Sequence, residues 1–270
     1  MRQKPRWAVG CVGVLVGLGV FGVHVGAAEA QEPPTVFQAA GPNAATIQGT
    51  VDQFRAALGE PNNGNAAGPL ATGRREINWD GGGSTDTAVA GTPFDGFLVT
   101  RGARFITPGT GVVQAPADGL AETFDNATYA DIFQPFSPVR LFSPIGSHLT
   151  EARFFVPGGG DIPATTAGFG AVFADVDRPD GSTPTTHQED RRPSTWVRYF
   201  GTDGQLLFSG AVPASPGDGG LSFFGIVFDR ARIAKVLITT GTTAPGPDDD
   251  KHHDVVVMDD FLYGEPQPLP

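Results

Sequence analysis

From Arg74 onward, short apolar or alternating runs are separated by turns rich in glycine, proline and aspartate, a pattern typical of β-strands. Gly168 to Val176 is a long apolar run of this kind. Thr195 to Phe200 and Gln205 to Phe208 flank Asp203-Gly204, a pair that favours a tight hairpin. Roughly ten such segments predict an all-β fold, a single β-sandwich or jelly-roll domain.

One helix is predicted ahead of the strands, from about Ile47 to Leu58. Val51, Phe54 and Leu58 fall on one helical face, and Gly59 can end the helix. No later segment has comparable helical periodicity.

The predicted domain covers residues 46–266. Residues 31–45 are rich in proline, alanine and glycine and indicate a flexible leader. Residues 267–270 are a short tail. No repeat or long linker divides the chain, so one domain is expected.

The first 30 residues have the pattern of a secretion signal. Three basic residues precede an apolar run from Trp7 to about Ala27, and Ala28-Glu29-Ala30 predicts cleavage before Gln31. The alternative is an uncleaved membrane anchor, but the many glycines and the small-residue cleavage site favour a signal peptide. The sequence therefore predicts a secreted protein, extracellular or periplasmic.

Composition supports a compact β-protein. The chain has 38 Gly and 24 Pro, which excludes a mostly helical fold, and 20 Phe, which indicates a real core. The only cysteine, Cys11, lies within the signal. The mature protein is thus expected to be held together by its core without disulfides.

The formal net charge is −11, and removal of the signal makes the chain more acidic still. This balance repels nucleic acid and anionic membrane surfaces, so neither is expected as a partner after signal cleavage. It suits cation binding, or solubility outside the cell.

Two adjacent aspartates, Asp259 and Asp260, stand inside the apolar segment Val255 to Tyr263. Regular alternation predicts that Asp260 shares a face with Met258 and Leu262, and that Asp259 lies on the opposite face with Phe261 and Tyr263. Whichever face is buried, one carboxylate lies along an apolar row and needs a partner. A metal ion, an arginine and backbone N–H groups are the candidates; the alternative is an exposed aspartate at a sheet edge.

Calcium suits the oxygen ligands, the acidic chain and the export route. Asp80, Asp125 and Asn126 are candidates to complete a calcium site with Asp259 and Asp260.

Two further acidic segments are better interpreted as loops. Asp175 to Gly181 resembles a calcium loop, but an extra residue separates its second and third aspartates, and a strand running into a Pro-Asp-Gly turn is the simpler interpretation. Asp248 to Asp254 holds His252 and His253 among four carboxylates, yet the preceding Pro-Gly-Pro indicates a solvated loop.

No motif for nucleophilic catalysis is present: the chain has no Gly-x-Ser-x-Gly elbow and no His-Glu-x-x-His. A pair of carboxylates for glycoside hydrolysis stays open, because spacing in sequence does not measure spacing in space. Aromatic side chains can stack on sugar rings or pack in the core. The candidates are Trp79, Trp196, Tyr129, Tyr199 and Tyr263.

Several segments resemble a family of uncharacterised exported bacterial proteins, whose members often end in a PEP-CTERM sorting tail. The matching segments are FRAALG, GRREINWDGG, AGFGAVFADVD, WVRYFGTDGQLL, LSFFGIVF, ARIAKVLITTG and VVVMDDFLYGEP. The printed chain ends at Gly264 to Pro270 with no such tail. The final apolar strand is also similar to the last strand of carbohydrate-binding jelly rolls. The resemblance implies export and supplies no activity.

The sequence therefore predicts an exported, non-catalytic β-sandwich protein that binds a glycan or is associated with an extracellular matrix, with calcium in a structural role. The alternatives are an exported glycan-active hydrolase using paired carboxylates and a purely structural envelope protein.

Overall fold

Two antiparallel β-sheets pack face to face, and helices cover the outer surface of one of them. The computed structural model describes Met1 and residues 32–81, 83–177, 193–215, 217–247 and 253–269. The predicted signal peptide therefore lies outside the described residues. Glu32–Pro270 form one compact unit.

In chain order the strands are β1 (Thr35–Gly41), β2 (Arg74–Ile77), β3 (Ala88–Ala90), β4 (Ala103–Ile106), β5 (Gly111–Ala115), β6 (Leu141–Ile145), β7 (Leu149–Phe154), β8 (Ala164–Thr165), β9 (Gly168–Ala174), β10 (Trp196–Phe200), β11 (Leu206–Ala211), β12 (Leu221–Val227), β13 (Lys235–Thr239), β14 (Val257–Gly264) and β15 (Gln267–Pro268). The helices are α1 (Ala44–Leu58), α2 (Leu98–Arg101), α3 (Ala117–Phe124) and α4 (Tyr129–Ile132).

The first sheet has the order β1-β12-β9-β14-β6-β5-β3. Strand β14 pairs with β9 along one edge, while its other edge is divided between β6, at Met258, and β2, at Phe261 to Gly264. The second sheet has the order β11-β10-β13-β7-β4, and β15 pairs with β8. The all-β sandwich predicted from the strand pattern is confirmed.

Between the sheets lies an aromatic core. Trp79 stacks on Phe142 with ring centroids 4.0 Å apart and packs edge-on against Phe261. Phe105 of the second sheet contacts the same rings, so aromatic packing joins the two layers.

Helix α1 packs on the opposite face of the first sheet through Ile47, Val51, Phe54 and Leu58, each no more than 8% exposed. This confirms the predicted helix and its buried face. The helix begins one turn earlier than predicted, because the Asn43 side chain accepts the Thr46 N–H as an N-cap.

Close packing of α1 depends on two glycines. Gly170 of β9 and Gly225 of β12 are cross-strand partners. A Cβ atom on either would lie 2.8 Å from the Phe54 ring. The glycine pair therefore makes a flat place in the sheet on which Phe54 rests.

Two local predictions are wrong. The segment 31–45, expected to be a flexible leader, contains β1, which pairs with β12 at all seven positions, and the start of α1. Helices α2, α3 and α4 lie in the part of the chain where no further helix was expected. Strand β1 forms because it pairs with β12, which is distant in sequence. The short helices have too few turns to produce a recognisable helical period in the sequence.

Within the part of the chain that the structure describes, no helix combines the length and apolar character needed to cross a membrane.

Candidate functional site

A β-bulge in β14 decides where the two adjacent aspartates lie. Asp259 pairs with Val172 and Phe261 with the next residue of β9, Ala171, so Asp260 is the extra residue. Regular alternation across this segment was therefore a wrong prediction. Met258 and Phe261 both join the core between the sheets, whereas Val257 and Leu262 both join the core under the helices.

Asp259 is fully buried and accepts several hydrogen bonds. Its Oδ2 accepts the backbone N–H groups of Phe136 and Ser137 at 2.7 and 3.0 Å. Its Oδ1 accepts the N–H of Asp260 at 2.7 Å and lies 3.2 Å from the Ser137 hydroxyl. Backbone N–H groups, one of the three predicted kinds of partner, thus surround this carboxyl.

Asp260 has a different partner. Its Oδ2 lies 3.3 Å from Nη2 of Arg55 on α1. Its Oδ1 is buried and has no hydrogen-bond partner among the residues that the structure describes. The same Arg55 nitrogen lies 3.1 Å from Oε2 of Glu76 on β2, and Nη1 of Arg55 lies 3.0 Å from Oδ1 of Asp52, so three carboxylates surround one guanidinium group.

Burial raises the pKa of Asp260 to about 6, an effect that the nearby Arg55 charge opposes. Burial and the Asp260 charge raise the pKa of Asp259 well above its usual value, against the backbone hydrogen bonds that it accepts. Two neighbouring buried carboxyls cannot both ionise cheaply, so the pair retains a proton at a pH where isolated aspartates have lost theirs.

Asp260 borders a cleft of about 300 Å³, located where β2 and β6 separate along β14. Its lining is polar and carries both signs of charge. The lining residues are Arg55, Asn62, Glu76, Asn78, Arg101, Ser137 and Asp260. We call this the bulge cleft.

The other predicted calcium ligands make their contacts elsewhere. Asp80 is buried, where its carboxylate accepts the Arg140 N–H and the Asn78 amide, both at 2.9 Å. Asp125 ends α3 in the left-handed conformation, and Asn126 binds Thr128 and the Gly246 carbonyl. Among the described residues, no group of three or more His, Cys, Asp and Glu side chains is arranged to hold a metal ion. Calcium at these five residues stays a prediction.

The two acidic segments that the sequence analysis interprets as loops lie partly outside the described residues. The positions outside are 178–181 of the acidic segment that resembles a calcium loop, and 248–252 of the His-containing segment.

Of the five aromatic residues named as candidates for sugar stacking, four are core residues. Trp79, Tyr129, Tyr199 and Tyr263 are at most 1% exposed. Trp196 is partly exposed, and its indole N–H donates to the Pro193 carbonyl at 2.9 Å. Trp196 is thus the member of this set that can meet a ligand.

Trp196 begins a row of outward side chains on β10. Val197 and Tyr199 are buried between the sheets, so Trp196, Arg198 and Phe200 point to the outer side of the second sheet. Neighbouring strands add outward residues of both kinds, apolar and charged. They are Arg104, Ile106, Leu149, Glu151, Arg153, Lys235, Leu237 and Thr239.

All of these positions are partly or fully exposed. We call this surface the outer face. Sequence analysis found Trp196 but missed Arg198 and Phe200; alternation around the buried Val197 and Tyr199 was the available signal.

The outer face continues at one end into a groove of about 320 Å³. Arg153 and Lys235 line it, together with apolar side chains that include Phe155, Pro163 and Leu269. The Lys235 Nζ atom lies 4.7 Å from the centroid of the Phe200 ring, which joins the groove to the β10 row.

Comparisons of this chain with protein family models, with curated proteins and with solved structures found no match.

Proposed function

We propose that this is an exported, non-catalytic glycan-binding protein whose ligand lies on the outer face. One observation carries the proposal. Helices cover the first sheet of the sandwich, whereas the second sheet presents aromatic and cationic side chains in a row on its outer side, where the described residues leave them partly or fully exposed.

The chemistry of the row suits a sugar chain. Aromatic rings such as Trp196 and Phe200 pack against the apolar faces of sugar rings, and the guanidinium of Arg198 between them donates hydrogen bonds to sugar oxygens. Strand β10 is hydrogen-bonded on both sides, to β11 and β13, so the row is held rigidly before the ligand arrives. The predicted secretion signal places such a surface where extracellular glycans occur.

A glycan array probed with the mature protein tests the proposal. We expect binding that Trp196→Ala lowers at least tenfold. Val89→Ala is the control, because Val89 is an exposed residue of β3 in the other sheet. A blank array, or binding unchanged by Trp196→Ala, would refute the proposal and favour a structural envelope role.

The bulge cleft supports a second candidate function, hydrolysis of a glycan. Asp260, with its raised pKa, can give its proton to the departing glycosidic oxygen. Glu76, across Arg55, can take a proton from the water that adds to the anomeric carbon. Release of reducing ends from glycans that bind on the array tests this function. It requires activity that both Glu76→Gln and Asp260→Asn abolish; turnover that survives either change would exclude the cleft as the catalytic site.

A further inference from the structure

We infer that the ligand of the outer face is a carboxylated, polyanionic glycan chain. This inference rests on the proposed glycan-binding function and specifies its substrate class.

The first argument is the sign of the charges. The whole chain carries a formal net charge of −11. The outward positions of β4, β7, β10 and β13 reverse that sign, with several basic residues and a single acidic one. The basic residues are Arg104, Arg153, Arg198 and Lys235, and the acidic residue is Glu151. An acidic protein thus presents a positive surface on one side of its sandwich.

The second argument is which of these charges are already neutralised. Arg104 is paired with Asp95 and Asp161. Arg153 and Lys235 share Glu151, whose oxygens lie 2.5 and 3.6 Å from them. Arg198, in contrast, forms no salt bridge with any residue that the structure describes. A planar guanidinium with free donors matches a carboxylate by two parallel hydrogen bonds.

The third argument is the groove beside Phe200. Among the described residues that line it are two cations, Arg153 and Lys235, and no acidic side chain. They share a single acidic partner, so positive charge is left to bind a second anionic group next to an apolar wall formed by Phe155 and Pro163.

The fourth argument is length. Trp196 and Phe200 are four residues apart on an extended strand, about 13 Å, and the groove lies beyond Phe200. This distance exceeds one sugar ring, so several consecutive residues of a chain occupy the row. A single glycan chain is narrow enough to stay on this positive surface. A nucleic acid duplex or a membrane is broader and would also contact the acidic surfaces of the protein, which repel it.

The test compares two probes that share one backbone: oligogalacturonate and its methyl-esterified form, in which the carboxylates are neutral. Binding is measured by titration calorimetry with EDTA present, at low and at moderate salt. We expect oligogalacturonate to bind at least tenfold more tightly than the ester and to weaken as salt rises. Trp196→Ala should weaken both probes.

Three variants locate the effect. Arg198→Gln should lower oligogalacturonate affinity at least tenfold, and Arg198→Lys should restore only part of it. Arg230→Gln, which removes an exposed arginine in the turn between β12 and β13, should leave affinity within twofold. All three are checked for unchanged melting temperature.

The outcomes separate the inference from the function on which it rests. Equal binding of the ester, or Trp196-dependent binding of neutral glycans alone, overturns the carboxylated ligand and leaves glycan binding standing. Dextran sulfate or single-stranded DNA that binds as tightly as oligogalacturonate shows charge attraction alone and overturns the inference. No binding of any glycan overturns both.

Discussion

Arg55 and Asp260 are 205 residues apart in the chain, yet Arg55 Nη2 lies 3.3 Å from Asp260 Oδ2. This contact joins the N-terminal helix to the C-terminal strand of the first sheet. Asp260 thus has a partly exposed positive partner, Arg55. Its buried neighbour Asp259 accepts backbone N–H groups instead.

The buried pair should make stability depend on pH. The pKa of Asp260 is about 6 in the folded protein, above the ordinary value of 3.8. The folded state therefore holds protons more tightly, so the titration of Asp260 lowers the free energy of unfolding by up to about 3 kcal/mol as pH rises from about 4 to about 6. Asp260→Asn should remove this contribution.

Urea denaturation at pH 4.5 and pH 7.5 checks this. The stability of Asp260→Asn relative to the wild type should increase between the two pH values. A difference that does not change with pH would mean that Asp260 titrates normally.

Asp259 should be required for stability. Replacement by Asn puts an amide NH₂ group among the donors from Phe136, Ser137 and Asp260. We expect a loss of about 2–4 kcal/mol in the free energy of unfolding, because buried donors lose their acceptor. Asp86→Asn, an exposed aspartate, should change stability by less than about 0.5 kcal/mol. Equal effects of the two substitutions in urea denaturation would contradict the role of Asp259.

A buried ion pair should hold the loop of residues 60–73 on the domain. Arg75 and Glu265 are joined by two hydrogen bonds of 2.6 and 2.7 Å, and Glu265 also accepts from Asn63 and the Leu70 N–H. Glu265→Gln should cost about 3–5 kcal/mol, since it leaves the Arg75 charge buried without its partner.

Limited proteolysis should then cut within 60–73 faster than in the wild type. The double variant Arg75→Met/Glu265→Leu should regain much of the global stability but not the protection of the loop. If the loop resists protease in both variants, Glu265 does not hold it.

Two glycine substitutions should have opposite signs. Gly170→Ala places a Cβ 2.8 Å from the Phe54 ring and 2.9 Å from Phe223, so it should destabilise by about 1–3 kcal/mol. Gly49→Ala lies in α1, where the new Cβ would meet no described atom within 4 Å apart from the backbone of its own helix, and should stabilise by about 0.5–1 kcal/mol. Thermal denaturation of both variants measures this; stabilisation by Gly170→Ala would disprove close packing of α1 on the sheet.

The sequence predicted the elements that depend on residues close together in the chain. The spacing of Val51, Phe54 and Leu58 predicted helix α1, and Asp203-Gly204 predicted the β10–β11 hairpin. Strand β1 carries no comparable pattern, because its partner β12 lies far away in sequence and supplies the pairing.

In the candidate site, too, the features that depend on nearby residues were predicted and those that depend on distant contacts were not. An aspartate inside an apolar strand indicates a buried carboxyl that needs a partner, and that expectation is confirmed. The bulge depends on how Asp259 and Phe261 meet β9, and the choice of Arg55 depends on where α1 packs. Neither is encoded near the aspartates.

The position of β14 has a consequence for how the chain is made. It is the last long strand in sequence, but it lies in the middle of the first sheet, between β9 and β6. The two parts of that sheet, β1-β12-β9 and β6-β5-β3, can be joined only after the residues of β14 have been synthesised. Until then the first sheet consists of two separate parts, so the domain completes its fold late in synthesis.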